Sequence, residues 1–472
     1  MDGDMRDDDM RDDDDDIPNF LMLDQIPVNY TQQLETDLLE PVVFSQGAAT
    51  TDGFARFTLQ NKGFLHSHSK LFVALKPGTG QSDVFLQPHV GIGQVVKKAV
   101  LKIGNKTLNE IDSWAGLHAV KSSLITNENN VEREMYLTGR SMNFGFLYNA
   151  DSKVFADQIG LDNGMEYDAT NDRLNQPSWA RMDTAAPEEC PSYSIDLSDL
   201  FPFLKVNQLP LYLIKEPINI EITFHPTTKN RVQISAGQTA DVACEIVRDE
   251  LKFCADYIFY GSTDEMDRFA GGRGKDLNFS FVDYRLVEHT TSPAQLASGL
   301  IRNLGMANRM VPRVISLFAA DAQDEDTILG RNNSMAPTQS ASGVAGSVRY
   351  NIRYNDRFEF TSDVDNMSRL FSIFQQSEGV PFIARQQFSD CGTVAGGLTT
   401  DTYQGRSQQG MEGHMFNLST RLTNGRVGQR GIELHITHDA PIGGRVVDLL
   451  RCYCEYIRVA RLDNGYFEVY NA

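Results

Sequence analysis

Short runs of alternating apolar and polar residues recur along most of the chain, separated by turn-forming Gly, Pro, Asn and Asp. In Leu71–Leu75 the side chains of Leu71, Val73 and Leu75 share one face, and in Ile218–Phe224 Ile218, Ile220 and Ile222 do the same. A period of two predicts half-buried β-strands. The same reading covers Phe54–Leu59, Val95–Ile103, Phe253–Tyr260, Leu277–Leu286, Val314–Phe318, Val348–Tyr354, Gly431–Thr437 and Cys452–Leu462. Helical candidates are few and short. Leu108–Ser123 carries Ile111, Ala115 and Ala119 at a four-residue spacing, and Asn130–Leu137 and Met367–Gln376 are two more. In Ser292–Ile301, Ser292 followed by Pro293 reads as an N-cap and first helical residue. Antiparallel strands with short helices predict β-sandwiches and not βαβ units.

Three blocks recur in the same order, which predicts an internal duplication. Leu101–Leu108 followed by Asp112 matches Ile352–Phe358 followed by Asp363, each a strand with a polar turn at Gly104-Asn105 or Asn355-Asp356. Ile218–Pro226 matches Gly431–His438, and Cys254–Ile258 matches Cys454–Ile457 inside a long strand that closes each half. The linker-like segment Gly261–Gly274 falls between the two sets. This places an acidic, extended N-terminal arm at 1–43, a first sandwich at 44–262 and a second at 263–472. Polar insertions at Leu147–Pro191, Asp321–Ser347 and Cys391–Gly413 are long enough to serve interaction and are expected at one end of each sandwich.

Composition changes this picture at one place. The formal net charge is −20, and residues 1–16 hold ten Asp and two Arg, about −8 by themselves. Such a run cannot bury a core, and it reads either as a solubilising tail or as a dock for a basic partner. No clustered Lys/Arg patch suits phosphate binding, so direct contact with a genome is not expected. No apolar run approaches the ~20 residues that span a bilayer. The opening Met-Asp-Gly-Asp has neither a basic nor an apolar signal region, so no secretory signal is expected.

Candidate chemistry is thin. Gly91-Ile-Gly93 and Gly271-Gly-Arg-Gly-Lys275 echo phosphate loops, but neither matches the motif and Asp276 follows Lys275. His66 with His68, and His435 with His438, lack the third and fourth ligands of a zinc site at motif spacing. The six cysteines, Cys190, Cys244, Cys254, Cys391, Cys452 and Cys454, form no C-x-x-C; Cys452 and Cys454 would share a strand face as small buried hydrophobes. Trp114 and Trp179 read as packing residues. Catalytic, cofactor and metal sites are therefore none.

The segment Tyr193–Ile214 followed by Ile218–Phe224 resembles a stretch of double jelly-roll major capsid proteins of the adenovirus, virophage, polinton-like and large DNA virus lineage, in character most like the virophage and polinton-like members. In them an aromatic-rich turn (here Leu200–Phe203) precedes Leu-Pro-Leu (Leu209–Leu211) and a strand that ends the first sandwich (Ile218–Phe224). Val95–Ala119 is similar to that family's strand and following helix, and Val446–Leu462 with Asp463-Asn464-Gly465 to its C-terminal hairpin. The resemblance runs from about Gln32 to Ala472. It implies an all-β fold of two consecutive eight-stranded antiparallel jelly rolls with short helices in loops. It also implies a non-enzymatic shell protein of the virion, assembled in host cytoplasm or nucleus around a DNA genome. Homotrimers would form pseudo-hexameric capsomers of an icosahedral shell, with neighbouring capsomers, penton and minor capsid proteins as partners. An internal membrane stays open, and arms such as Ile17–Val43 would tie the base to neighbours. The alternatives are a minor capsid or spike component, and a non-viral β-sandwich that binds ligands or hydrolyses substrates.

Overall fold

The computed structural model describes residues 33–77, 91–125, 192–226, 244–259, 276–319, 348–378, 417–438 and 449–471, apart from a few positions within them, together with short pieces between. Eight principal strands, with shorter ones such as Val43–Ser45 and Cys244–Ile246 added at their sides, build the first half: β1 (Gln33–Leu39), β2 (Gly53–Leu59), β3 (Lys70–Pro77), β4 (Val96–Ile103), β5 (Lys106–Asp112), β6 (Ser192–Asp196), β7 (Ile218–Phe224) and β8 (Lys252–Phe259). One sheet runs β1-β8-β3-β6 and the other β2-β7-β4-β5, all antiparallel.

The second half repeats this with β9 (Asp276–Thr290), β10 (Leu300–Gly305), β11 (Arg313–Ala319), β12 (Val348–Tyr354), β13 (Arg357–Phe358), β14 (Asn417–Arg421), β15 (Ile432–His438) and β16 (Leu449–Asp463). Its sheets run β9-β16-β11-β14 and β10-β15-β12-β13. Strand n of one half therefore holds the place of strand n+8 in the other. This is the jelly-roll order, twice. The three recurring sequence blocks land on equivalent strands: β4–β5 with β12–β13, β7 with β15, and β8 with β16.

Alternation explains the packing. In β7, Ile218, Ile220, Ile222 and Phe224 are fully buried while Asn219, Glu221 and Thr223 face outward. The outer residues pair across strands: Thr58 donates to Asn219 Oδ1 at 2.8 Å, and Lys102 ion-pairs with Glu221. Facing β7 in the core are Leu71, Val73 and Leu75 of β3 and Phe253, Ala255 and Tyr257 of β8, all sealed from solvent.

Several expectations shift. Gln33–Leu39, placed in the arm, is a strand of the first sheet, paired residue by residue with Phe253–Phe259. Leu108–Asp112, expected to open a helix, belongs to β5; the helix is α1 (Trp114–Ile125), and Ser113, with φ of +49°, separates the two. Leu300 and Ile301, expected at a helix end, begin β10, although Ser292 does accept the Gln295 amide as an N-cap would. Ile218–Phe224 is the seventh strand of its half and not the last. The helix α2 (Met367–Glu378) lies where expected. The linker Gly261–Gly274, most of Asn130–Leu137, the insertions at Asp321–Ser347 and Cys391–Gly413 and the acidic run lie outside the described residues; of Leu147–Pro191 the structure describes two small hairpins, Phe146–Asn149 with Val154–Asp157 and Glu166–Asp168 with Arg173–Asn175.

After β16 the chain turns through Asn464 (φ +51°) and Gly465 (φ +91°) into β17 (Tyr466–Asn471). Two positive φ values define the hairpin turn that matches strand twist, and Asn-Gly suits it. A side chain at Gly465 would also strike Leu213 O and Lys215 of the first half, 2.8–2.9 Å from its Cβ position. The turn thus needs glycine twice over.

Candidate functional site

Among the described residues both buried carboxylates, Asp283 and Glu455, lie where the two jelly rolls meet. Strand β9 carries Phe279, Phe281 and Asp283 at a two-residue period, so an acid occupies an apolar register. Asp283 is 1% exposed and accepts hydrogen bonds from Arg458 Nη1 (2.8 Å), Tyr284 N (3.0 Å), Asn109 Nδ2 (3.1 Å) and Tyr456 Oη (3.1 Å). Asn109 belongs to the first half, and its Oδ1 accepts the Phe203 amide at 2.9 Å. Arg458 also donates to Leu108 O at 2.8 Å. One carboxylate thereby ties β5, β9, β16 and the β6–β7 connection together. Burial pushes the Asp283 carboxyl above the usual carboxylate range, against the pull of Arg458 and Asn109.

A second ionic node lies on the other face of β16. Glu455 accepts from Arg313 Nε (3.0 Å) and Tyr284 Oη (2.9 Å), and Lys121 of α1 reaches across from the first half to 3.8 Å. Burial opposes its charge, but Arg313 and Lys121 overcome that and hold the carboxyl below the usual range. The sign follows. A depressed folded value contributes stability above the ordinary glutamate range, about 4.3, and loses it as pH falls through the folded value. Asp283, being raised, acts oppositely. Glu455→Gln is therefore expected to destabilise at pH 7 and to differ less from wild type below pH ~4, as urea denaturation at both pH values would read. An unchanged or growing difference in acid would refute the assignment.

Apolar contacts flank these nodes. Phe203 packs edge-on against Phe281 (5.0 Å between ring centroids) and against Phe279 (5.7 Å). Tyr453 Oη donates to Ser113 O at 2.7 Å, Lys215 N to Gly465 O at 2.9 Å, and Phe467 N to Glu216 Oε2 at 3.1 Å. The seam runs along β9, β16 and β17 against β5, α1 and the β6–β7 connection. Beside it, a cavity of about 630 Å³ is lined by residues of both halves, including Asp52, Lys97, Asp112, His225, Glu288 and Arg451. Its charges satisfy one another: Lys97 meets Asp52 at 2.7 Å, and Arg451 meets Glu288 at 2.8 Å.

The residues weighed from sequence fall elsewhere. The His66 and His68 rings lie 5.3 Å apart, tilted to one another, at an exposed turn, and His68 lies 3.4 Å from Asp196. His435 packs edge-on against Phe358. Among the described residues no three His, Cys, Asp or Glu side chains converge as metal ligands. Cys452 and Cys454 are fully buried on β16, and burial pushes the Cys452 thiol up to about 12. Trp114 is buried at the start of α1, stacked on His118 and donating to Asp199 O. Gly91–Val95 is a buried single-turn helix; Gly271–Lys275 and Trp179 lie outside the described residues. The seam residues were missed. The available signal was an acid at Asp283 in line with Phe279 and Phe281, and an Arg at 458 in line with Cys452, Cys454 and Tyr456.

No protein-family model matches the sequence, and no curated protein matches it. Solved structures do. A chain of the Sputnik virophage superimposes with a TM-score of 0.57 at 10% identity, over 96% of this chain and 92% of its own. The mavirus major capsid protein gives 0.50 at 11% identity, over 92% and 90%. The chain has the double jelly-roll fold of viral major capsid proteins. PBCV-1 VP54, fitted into a reconstruction of the virophage Sputnik, shares that double jelly roll with a TM-score of 0.52 at 13% identity, over 93% of this chain and 97% of its own. In this double jelly roll the seam is what joins one roll to the other.

Proposed function

We propose that the chain is a viral major capsid protein whose homotrimers form pseudo-hexameric capsomers of an icosahedral shell around a DNA genome. The observation that carries this reading is the same eight-strand order built twice in one chain and joined through a buried seam. Two similar sandwiches per subunit give six per trimer, the number a six-cornered tile needs. The units are a first roll that includes Gln33–Leu39 and a second from about residue 263, preceded by the acidic arm. The role is structural, without catalysis, and the place is the virion. Neighbouring capsomers, penton and minor capsid proteins are the partners.

Surface patterning supports the need for neighbours. Strand β1 is inverted: Glu35 and Asp37 point inward to Lys62, while Leu34 and Leu38 stand outward at 60% and 62% exposure, with Val42 at 65% beyond them. Leucines aimed at solvent along a sheet edge suit coverage by another surface. Single-particle electron microscopy of the purified protein is expected to show three-fold particles with a near-hexagonal outline and six lobes. Monomers or two-fold dimers would overturn the capsid reading in favour of a binding or hydrolytic sandwich.

A further inference from the structure

One end of the second jelly roll is rich in arginine, which complements the acidic run at the start of the sequence. Because the strands alternate in direction, the connection 306–312, the turn Asn355-Asp356 and the connection 422–431 gather at one end of the second roll. Asn355 stitches them: its Nδ2 donates to Arg426 O at 2.6 Å, and its Oδ1 accepts the Gly428 amide at 2.5 Å. Beneath this stitch is a cavity of about 250 Å³ lined by Asn308, Asn355, Asn424, Arg426, Val427 and Gly428. Two asparagine side chains, Asn308 and Asn424, and the Arg426 guanidinium there have no partner among the described residues. These are donors without an acceptor.

The surround is basic. Arg309, Arg353, Arg357 and Arg430 join Arg426 on these connections and the strand ends beside them. Facing them are three carboxylates. Asp356 pairs with Arg430 and Arg353, Glu433 with Arg353, and Glu359 is taken up by Tyr354 and Thr423. Arg357 and Arg426 are exposed and unpaired among the described residues, and Arg430 is 76% exposed. In a chain of net charge −20 this end carries surplus positive charge. From residue 263 onward Lys275 is the only lysine, and the other permanently charged bases are arginines, whose planar fork suits carboxylates.

The described chain begins on the same side. Strand β1 starts at Gln33 opposite Phe259, the last residue of β8, on the side where Gly104 and the connection 197–217 lie. That side of the first roll touches the Asn464-Gly465 turn of the second through Lys215 and Glu216, so the two ends face the same way. Residues 17–32 can span up to roughly 50 Å, so the ten aspartates of residues 1–16 have a long reach from Gln33. We propose that this acidic segment docks on the second roll, with aspartate carboxylates in the Asn308–Asn424–Arg426 cavity and along Arg357 and Arg430. The contact is charge-assisted, exposed and therefore weakened by salt. It does not depend on a capsid role.

The test uses the full chain with a fluorophore on its N-terminal amine, read by anisotropy. Wild type is expected to show high anisotropy at low ionic strength and to lose at least half of the excess by about 0.5 M NaCl. The variant R357Q/R426Q/R430Q is expected to show the low value already at low salt, with an unchanged circular dichroism spectrum. A control that removes three charges from the first roll, K76Q/K97Q/K252Q, is expected to behave as wild type. Wild-type anisotropy in the arginine variant, or an equal drop in the lysine control, would overturn the docking site.

Discussion

Replacing Arg458 with alanine is expected to destabilise the protein by about 3–5 kcal/mol at pH 7, the range for stripping one partner from a buried ion pair. The Asp283 side chain is 2% exposed and cannot turn to water when the guanidinium leaves. Asn109, Tyr456 and the Tyr284 amide would remain as neutral donors, too few to replace a full charge at 2.8 Å. The loss also frees Leu108 O, so the second half lets go of β5 at the same step. Two further outcomes separate this mechanism from simple loss of packing. Protonation of Asp283 relieves the uncompensated charge, so the deficit of Arg458→Ala should shrink as pH falls from 7 to 5. Adding Asp283→Asn to the variant should recover part of the loss, because a neutral amide no longer needs the cation. Urea denaturation of the three proteins reads all of this. A deficit under about 1 kcal/mol, or one insensitive to pH, would mean that the pair does not hold the seam.

Why this pair escaped a reading of the sequence is physical. Asn109, Asp283 and Arg458 lie more than 170 residues apart pairwise in chain order, and nothing local links them. Strand alternation marks which face a residue takes but not what lies against that face. Strands β9 and β16 are covered on both sides, by their own core and by the other roll, so the second burial is invisible to a two-residue period. The duplication, in contrast, was legible because each copy must rebuild the same hairpin and the same apolar rows. The β4–β5 and β12–β13 hairpins, the β7 and β15 rows and the closing β8 and β16 strands carry it.

Strand β1 shows the opposite failure. Its inward residues are Glu35 and Asp37, both paired with Lys62, and its leucines point outward, so its pattern reads as the reverse of a core strand. Only pairing with β8 makes it part of the roll. At Leu108–Asp112 a four-residue spacing of Ile111, Ala115 and Ala119 bridged two elements. Leu108 and Ile111 are buried from a strand, while Ala115 is buried from the helix beyond Ser113. A periodicity that crosses a turn has no single geometric meaning.

The aromatic turn at Leu200–Phe203 was legible as a family-like feature, yet its work in the structure is at the seam. Phe203→Ala is expected to cost about 3–5 kcal/mol, as for other fully buried aromatic truncations. The ring is fully buried and leans on Phe279 and Phe281 of the second roll, while its own amide donates to Asn109, which in turn donates to Asp283. Truncation opens a void bounded by both halves, and neither can collapse into it without moving the Asn109–Asp283 contact. The damage from Phe203→Ala and Arg458→Ala should therefore be non-additive, since both loosen one network. Phe358→Ala supplies the contrast: that ring is 50% exposed on the outer face of the second roll, and its loss should stay within about 0.5 kcal/mol. Denaturation midpoints of the two single variants and of the Phe203→Ala/Arg458→Ala pair decide the matter. Strict additivity would mean that the aromatic and ionic contacts hold the two rolls independently, and that the seam is two joints rather than one.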